Sequence, residues 1–138
     1  LVIRLPHLQA ELGKIAELMQ DAHADGYAWG EMAVLCPDHA TMTACAALFG
    51  RRGLPCRVRR RAGDYQPRAE HIKIMTMHVS KGLEFPVVAL PAVGKLLELE
   101  EDEAEAARLF YVASTRATRR LFVTISGTST FADRLVPA

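Results

Sequence analysis

Two polar segments hold the residue types that do chemistry. The first, Thr76 to Phe85, reads T-M-H-V-S-K-G-L-E-F and directly follows the apolar run Ile72–Met75. An apolar run of that length suits a strand, so Thr76, His78, Ser80, Lys81 and Gly82 fall just beyond a strand end. At the carboxyl edge of a parallel sheet, a hydroxyl, an imidazole and an ammonium so placed can meet phosphates, although the same residues also suit a plain polar turn. The second segment, Arg108 to Ala117, reads R-L-F-Y-V-A-S-T-R-A. Its apolar residues suit one helix face, with Tyr111 expected to pack and Thr115 and Arg116 near the carboxyl end. Arg116 stands about 100° round the helix from Ala117. A cation there stabilises the helix dipole by ~0.3–1 kcal/mol, and Arg119 or Arg120 would serve equally well. Position alone does not single out Arg116.

Other catalytic signatures are missing. Gly13-Lys14 and Gly94-Lys95 lack the first glycine of a phosphate-binding loop, having Leu8 and Ala89 instead, and lack its hydroxyl, having Ile15 and Leu96. The sequence contains no G-x-G-x-x-G turn, no G-x-S-x-G elbow and no H-E-x-x-H pair. Its five histidines show no metal-ligand spacing, so no metal site is expected. Cys36, Cys45 and Cys56 are odd in number and form no C-x-x-C pair, which reads as reduced core thiols. A self-sufficient ATPase, dehydrogenase, hydrolase or metalloenzyme is not expected.

The elements that must position these segments follow from hydrophobic spacing. Leu1–Leu5 is a short apolar run. Leu8, Leu12, Ile15 and Leu18/Met19 mark one face of a helix over His7–Asp25, stopped by Gly26. Met32–Cys36 reads as a buried strand ended by Pro37. Asp38 or Thr41 caps a helix carrying Met42, Cys45/Ala46 and Phe49, closed by Gly53. Cys56–Val58 is a short strand, residues 59–70 a polar loop, and Ile72–Met77 another strand. Pro86–Val93 is an apolar run short for a helix. A helix from Glu103 carries Ala106, Leu109/Phe110, Ala113 and Ala117, and Leu121–Ile125 is a last strand. Thr130–Leu135 suits a terminal helical turn. Strands apolar on both faces and alternating with helices predict an α/β fold, a mainly parallel sheet covered on both sides.

The chain has 138 residues, 50% of them apolar and 24% charged, with a formal net charge of +1. That suits one domain with a sizeable core. No apolar run is long enough to span a membrane and no signal-peptide pattern opens the chain, so a cytoplasmic protein is expected. Near-neutral charge argues against holding nucleic acid by bulk electrostatics alone. A first residue of Leu1 rather than Met suggests a piece of something larger.

In this order, the two segments resemble motifs V and VI of the UvrD/Rep-type superfamily 1 DNA helicases. Thr76, His78, Lys81, Gly82, Leu83, Glu84 and Phe85 match T-x-H-x-x-K-G-L-E-F, and Arg108, Leu109, Tyr111, Val112, Thr115, Arg116 and Ala117 match R-L-x-Y-V-x-x-T-R-A. The resemblance implies a single second RecA-like motor domain over residues 1–138. This is a three-layer α/β/α unit of P-loop NTPase type without a phosphate-binding loop of its own. It implies ATP with Mg2+ bound between two motor domains, the metal held mainly by an N-terminal partner domain of the same parent chain. Arg116 would carry over as the arginine finger. Gly82, Glu84, Lys81 and Thr115 would serve nucleotide binding, and Thr76 and His78 the backbone of single-stranded DNA or a DNA junction. This chain alone would then be inactive.

Departures from the family pattern set further expectations. Only residues 59–70 stand where larger relatives insert a subdomain, so strand separation by that subdomain is not implied. The start of motif IV, with its own arginine for the γ-phosphate, would lie upstream of Leu1. Cys36-Pro37-Asp38 replaces an aromatic and an arginine, so no nucleic-acid contact is expected there. Arg51, Arg52, Arg57, Arg59, Arg60 and Arg61 form a basic cluster that suits either a DNA-facing patch or a solvated face. Glu98, Glu100, Glu101, Asp102, Glu103 and Glu105 suit a helix N-terminus better than a metal. Two rival classes are a non-hydrolytic DNA- or protein-binding module derived from a helicase, and a flavodoxin-like signalling domain that leaves both motifs unexplained.

Overall fold

A computed structural model of the chain describes residues 1–59, 70–99 and 102–126. The strands are β1 (Val2–Leu5), β2 (Met32–Cys36), β3 (Cys56–Val58), β4 (Ile72–Thr76), β5 (Phe85–Leu90) and β6 (Ala117–Ser126). The helices are α1 (Leu8–Ala24), α2 (His39–Arg51), the short α3 (Leu96–Leu99) and α4 (Glu103–Ser114). The sheet runs β1-β6-β5-β2-β4-β3 and every pairing is parallel.

Successive side chains of a strand face opposite sides, and both sides here are buried. Met32, Val34, Cys36, Ile72, Ile74 and Val87 meet Leu12, Ile15 and Met19 of α1 and Met42 and Phe49 of α2. Ala33, Leu35, Met75, Val88, Leu90 and Val123 form a second core with Ala106 and Ala113 of α4 and with Met77. The result is the expected three-layer α/β/α arrangement. Polar side chains start the helices. His7 Nδ1 accepts from Ala10 N, Asp38 Oδ1 from Thr41 N and Asp102 Oδ1 from Glu105 N, which settles Asp38 as the α2 cap.

One open reading is settled and two expectations change. The apolar run from Pro86 belongs to central strand β5. Pro86 has no N–H for a ladder, and the ladder accommodates this by a bulge: Phe85 pairs with Ala117 but Val87 with Arg120, so β6 holds one extra residue opposite the proline. The last helix stops at Ser114 rather than running on through Ala117, which is already the first residue of β6. The last turn of α4 is closed by side chains, since Thr115 Oγ1 donates to Val112 O (2.7 Å) and Arg116 Nε to the same carbonyl (3.1 Å). Tyr111, expected to pack, is 71% exposed. The loop 59–70 lies outside the described residues except for its ends, as do Arg60, Arg61, Glu100, Glu101, the Glu98 side chain and the turn at Thr130–Leu135.

Candidate nucleotide and nucleic-acid site

β4 and β5 both run parallel to β2, so residues 77–84 must cross the sheet face from its carboxyl edge to its amino edge. At the carboxyl edge Thr76 is paired with Cys36, the last residue of β2, and Met77 N donates to Cys36 O (2.8 Å). A single 3₁₀ turn, His78–Ser80, follows. Buried Ser80 holds it, its Oγ donating to Met77 O (2.6 Å) while Leu83 N donates to Ser80 O (3.0 Å). Gly82 then reverses direction at φ +83°, with open space where a Cβ would sit, so conformation rather than room requires glycine. Glu84, exposed, ends the crossing.

The two motif segments meet at the amino edge. Phe85 N donates to Arg116 O (2.8 Å), which sets Glu84 and Arg116 at the leading ends of neighbouring strands. The Arg116 guanidinium folds back on the end of α4, with Nε on Val112 O (3.1 Å) and Nη2 on Thr115 Oγ1 (3.0 Å). Of the other candidate cations, Arg120 pairs with Asp25 (2.8 Å) and lies 4.9 Å over the Tyr27 ring. The structure therefore divides the expected site between two edges. Thr76 and His78 are on one, Gly82, Glu84, Thr115 and Arg116 on the other, and Lys81 lies on the crossing between them.

Along the first half of the crossing, from the carboxyl edge inward, Met77, His78 and Lys81 face Glu105, Arg108, Leu109 and Val112 of α4 across a cleft of about 290 Å³. Arg108 forms an ion pair with Glu105. His78 and Lys81 are exposed, whereas Thr76 is 6% exposed. Among the described residues no group of three His, Cys, Asp or Glu is placed to hold a metal ion, and no helix is long and apolar enough to cross a membrane. All three cysteines are free thiols, each pushed up in pKa by burial, so none is poised as a nucleophile. Arg59 of the basic cluster is 8% exposed, its Nη1 donating to Val79 O (3.4 Å) behind the crossing segment, and so does not belong to a solvated face.

Two buried charged residues were not singled out by sequence reasoning. Glu11, 1% exposed, accepts from Ala92 N (2.8 Å), Thr124 Oγ1 (2.8 Å) and Ser126 Oγ (2.5 Å). Its signal was available, because an acid at Glu11 falls on the helix face marked by Leu8, Leu12 and Ile15. Lys73, 3% exposed within β4, donates to Gly30 O (2.8 Å), and burial lowers its pKa against the opposing influence of Glu70.

Residues 59–128 match the UvrD-like helicase C-terminal domain. The chain belongs to that family. It is 40% identical over 63 residues to the RecB subunit of the RecBCD enzyme of Chlamydia pneumoniae, covering 46% of this chain and 6% of that one. It is 46% identical over 61 residues to the ATP-dependent DNA helicase PcrA of Bacillus subtilis strain 168, covering 38% and 8%. The chain thus spans only a small fraction of the length of these relatives. In fold it is similar to the C-terminal domain of a possible DNA helicase from Lactobacillus plantarum WCFS1. That match has a TM-score of 0.77 at 19% identity, over 99% of this chain and 80% of that one.

Proposed function

We propose that this chain is the second motor domain of an ATP-dependent DNA helicase or translocase, completing a nucleotide site shared with an N-terminal motor domain. The observation that carries this reading is the Phe85 N–Arg116 O bond, which couples the motif V segment to the motif VI segment beside Glu84 and Arg116. The donor set suits half of a nucleotide site. Arg116 brings a permanently charged fork for phosphate oxygens, Glu84 an exposed acceptor for sugar hydroxyls, and Gly82 a backbone free of a Cβ. Thr115 holds the Arg116 fork in place, and Lys81 adds a cation on the approach. Bound ATP, with magnesium held mainly by the partner domain, supplies the phosphoanhydride whose cleavage drives the motor. Single-stranded DNA would be gripped at the opposite edge, His78 making the contact and buried Thr76 anchoring the strand end that presents it.

Such an arginine finger is worth ~10³–10⁵ in rate, or roughly 4–7 kcal/mol of barrier. Arg116→Ala, made in the helicase that carries this domain, should therefore cut DNA-stimulated ATP turnover by about three orders of magnitude or more while ATP binding persists. The resting place of the guanidinium on Val112 O favours a second reading, in which Arg116 only closes α4 and the domain is a non-hydrolytic DNA- or protein-binding module. A turnover loss below threefold would select that reading.

A further inference from the structure

The cleft between the crossing segment and α4 contains groups that the proposed roles leave unused. Its floor is apolar, formed by buried Met77 with half-buried Leu109 and Val112. Its rim bears exposed His78, Lys81, Arg108 and Glu105, two fixed cations against one carboxylate. Arg108 is held by Glu105 one turn earlier on the same helix, and side-chain exposures of 64% and 48% make that pair weak and readily exchanged. A volume of about 290 Å³ lies at the small end of ligand cavities, the size of a single nucleotide unit rather than a folded segment.

We propose that this cleft takes one phosphodiester unit of single-stranded DNA, with Arg108 exchanging Glu105 for a DNA phosphate that it clasps together with Lys81. The sugar rests on Leu109 and Val112. A guanidinium forks onto phosphate as readily as onto carboxylate, the exposed Glu105 pair holds it only weakly, and the positive rim selects an anion. This assignment rests on the DNA-gripping reading above, moves Lys81 from the nucleotide approach to the DNA track, and adds a DNA contact within the motif VI helix itself. Arg108 and Ser114, the last residue of α4, are six residues apart, or ~9 Å along the helix axis, and Arg116 follows just beyond that end. The track contact would then lie in the middle of α4 and the nucleotide-facing guanidinium just beyond its carboxyl end.

The test uses the full 138-residue chain, isotopically labelled, titrated with a thymidine octamer and followed by amide shifts and by fluorescence anisotropy. Shifts should concentrate at residues 77–81 and 105–112. Arg108→Ala should weaken binding about three- to tenfold and flatten the salt slope by about 0.7, the loss of one single-strand phosphate contact. Arg108→Lys should keep most of the slope, and Glu105→Gln should tighten binding by freeing Arg108. A purely structural ion pair would instead make Arg108→Ala and Glu105→Gln act in the same direction. An unchanged affinity in Arg108→Ala beside a loss in His78→Ala would overturn this cleft while leaving the DNA grip standing. No loss in either variant, or no octamer binding at all, would overturn both. If tripolyphosphate or ATP shifts the same amides in preference to the octamer, the cleft belongs to the nucleotide and the proposal fails.

Discussion

Glu11 shows how much a single side chain can fix. Its carboxylate gathers a backbone N–H just after β5 and two hydroxyls from β6, so α1 is pinned to the ends of two strands. Ala92, the donor after β5, has φ 55°, the one non-glycine in the left-handed region among the described residues, and the Glu11 bond helps hold it there. Glu11→Ala would leave two buried donors, Ala92 N and Thr124 Oγ1, unpaired at ~1–3 kcal/mol each and release half-buried Ser126 to water, so a net loss of about 2–5 kcal/mol is expected. Urea unfolding should show it as a lower midpoint at unchanged slope. The residue scale is also where sequence reasoning fell short. An acid on an apolar stripe was visible at Glu11, but its partners lie so far along the chain that no local pattern names them. Tyr111 failed in the other direction, because motif membership says nothing of which helix face meets the core.

At the scale of elements, the ends decide more than the middles. Asp38 caps α2 through Thr41 N, and although burial alone would raise its pKa, the Thr41 hydrogen bonds, Lys95 and His39 hold it below the ordinary 3.8. A depressed carboxylate contributes stability that is complete above the unfolded pKa and is lost as pH falls through the lower folded value. Asp38→Ala should cost about 1 kcal/mol near neutrality. The gap from the parent should close below about pH 4, measured by urea titration across that range. Most elements were legible because their apolar periods are clean. The exceptions have identifiable physical causes. Pro86 argues against a central strand until the bulge on β6 is seen to absorb its missing N–H. The helix pattern through Ala117 ignored Thr115 and Arg116, whose side chains take up the Val112 carbonyl and end the helix three residues earlier, at Ser114.

Across the whole molecule, the parallel order β1-β6-β5-β2-β4-β3 gives the two motif segments their geometry. Sequence reading placed all the polar donors of the first segment at one sheet edge. The crossing between β4 and β5 instead carries Glu84 to the other edge, a consequence of strand order that no local pattern records. The same topology ties the first strand to the last: β1 pairs with Val123–Ser126, and the Glu11 bonds join residues 81, 113 and 115 positions apart. These closures require nearly the entire chain to be collected first, and contacts of such high sequence separation form late in folding. They should therefore act as a brake on escape from the native state rather than as a nucleus. Thr124→Val, which removes one Glu11 donor without changing shape, should speed unfolding while leaving the refolding rate almost unchanged in stopped-flow measurements. In kinetic terms, the knot at Glu11 governs how long the domain persists once folded, and has little to do with how fast it gets there.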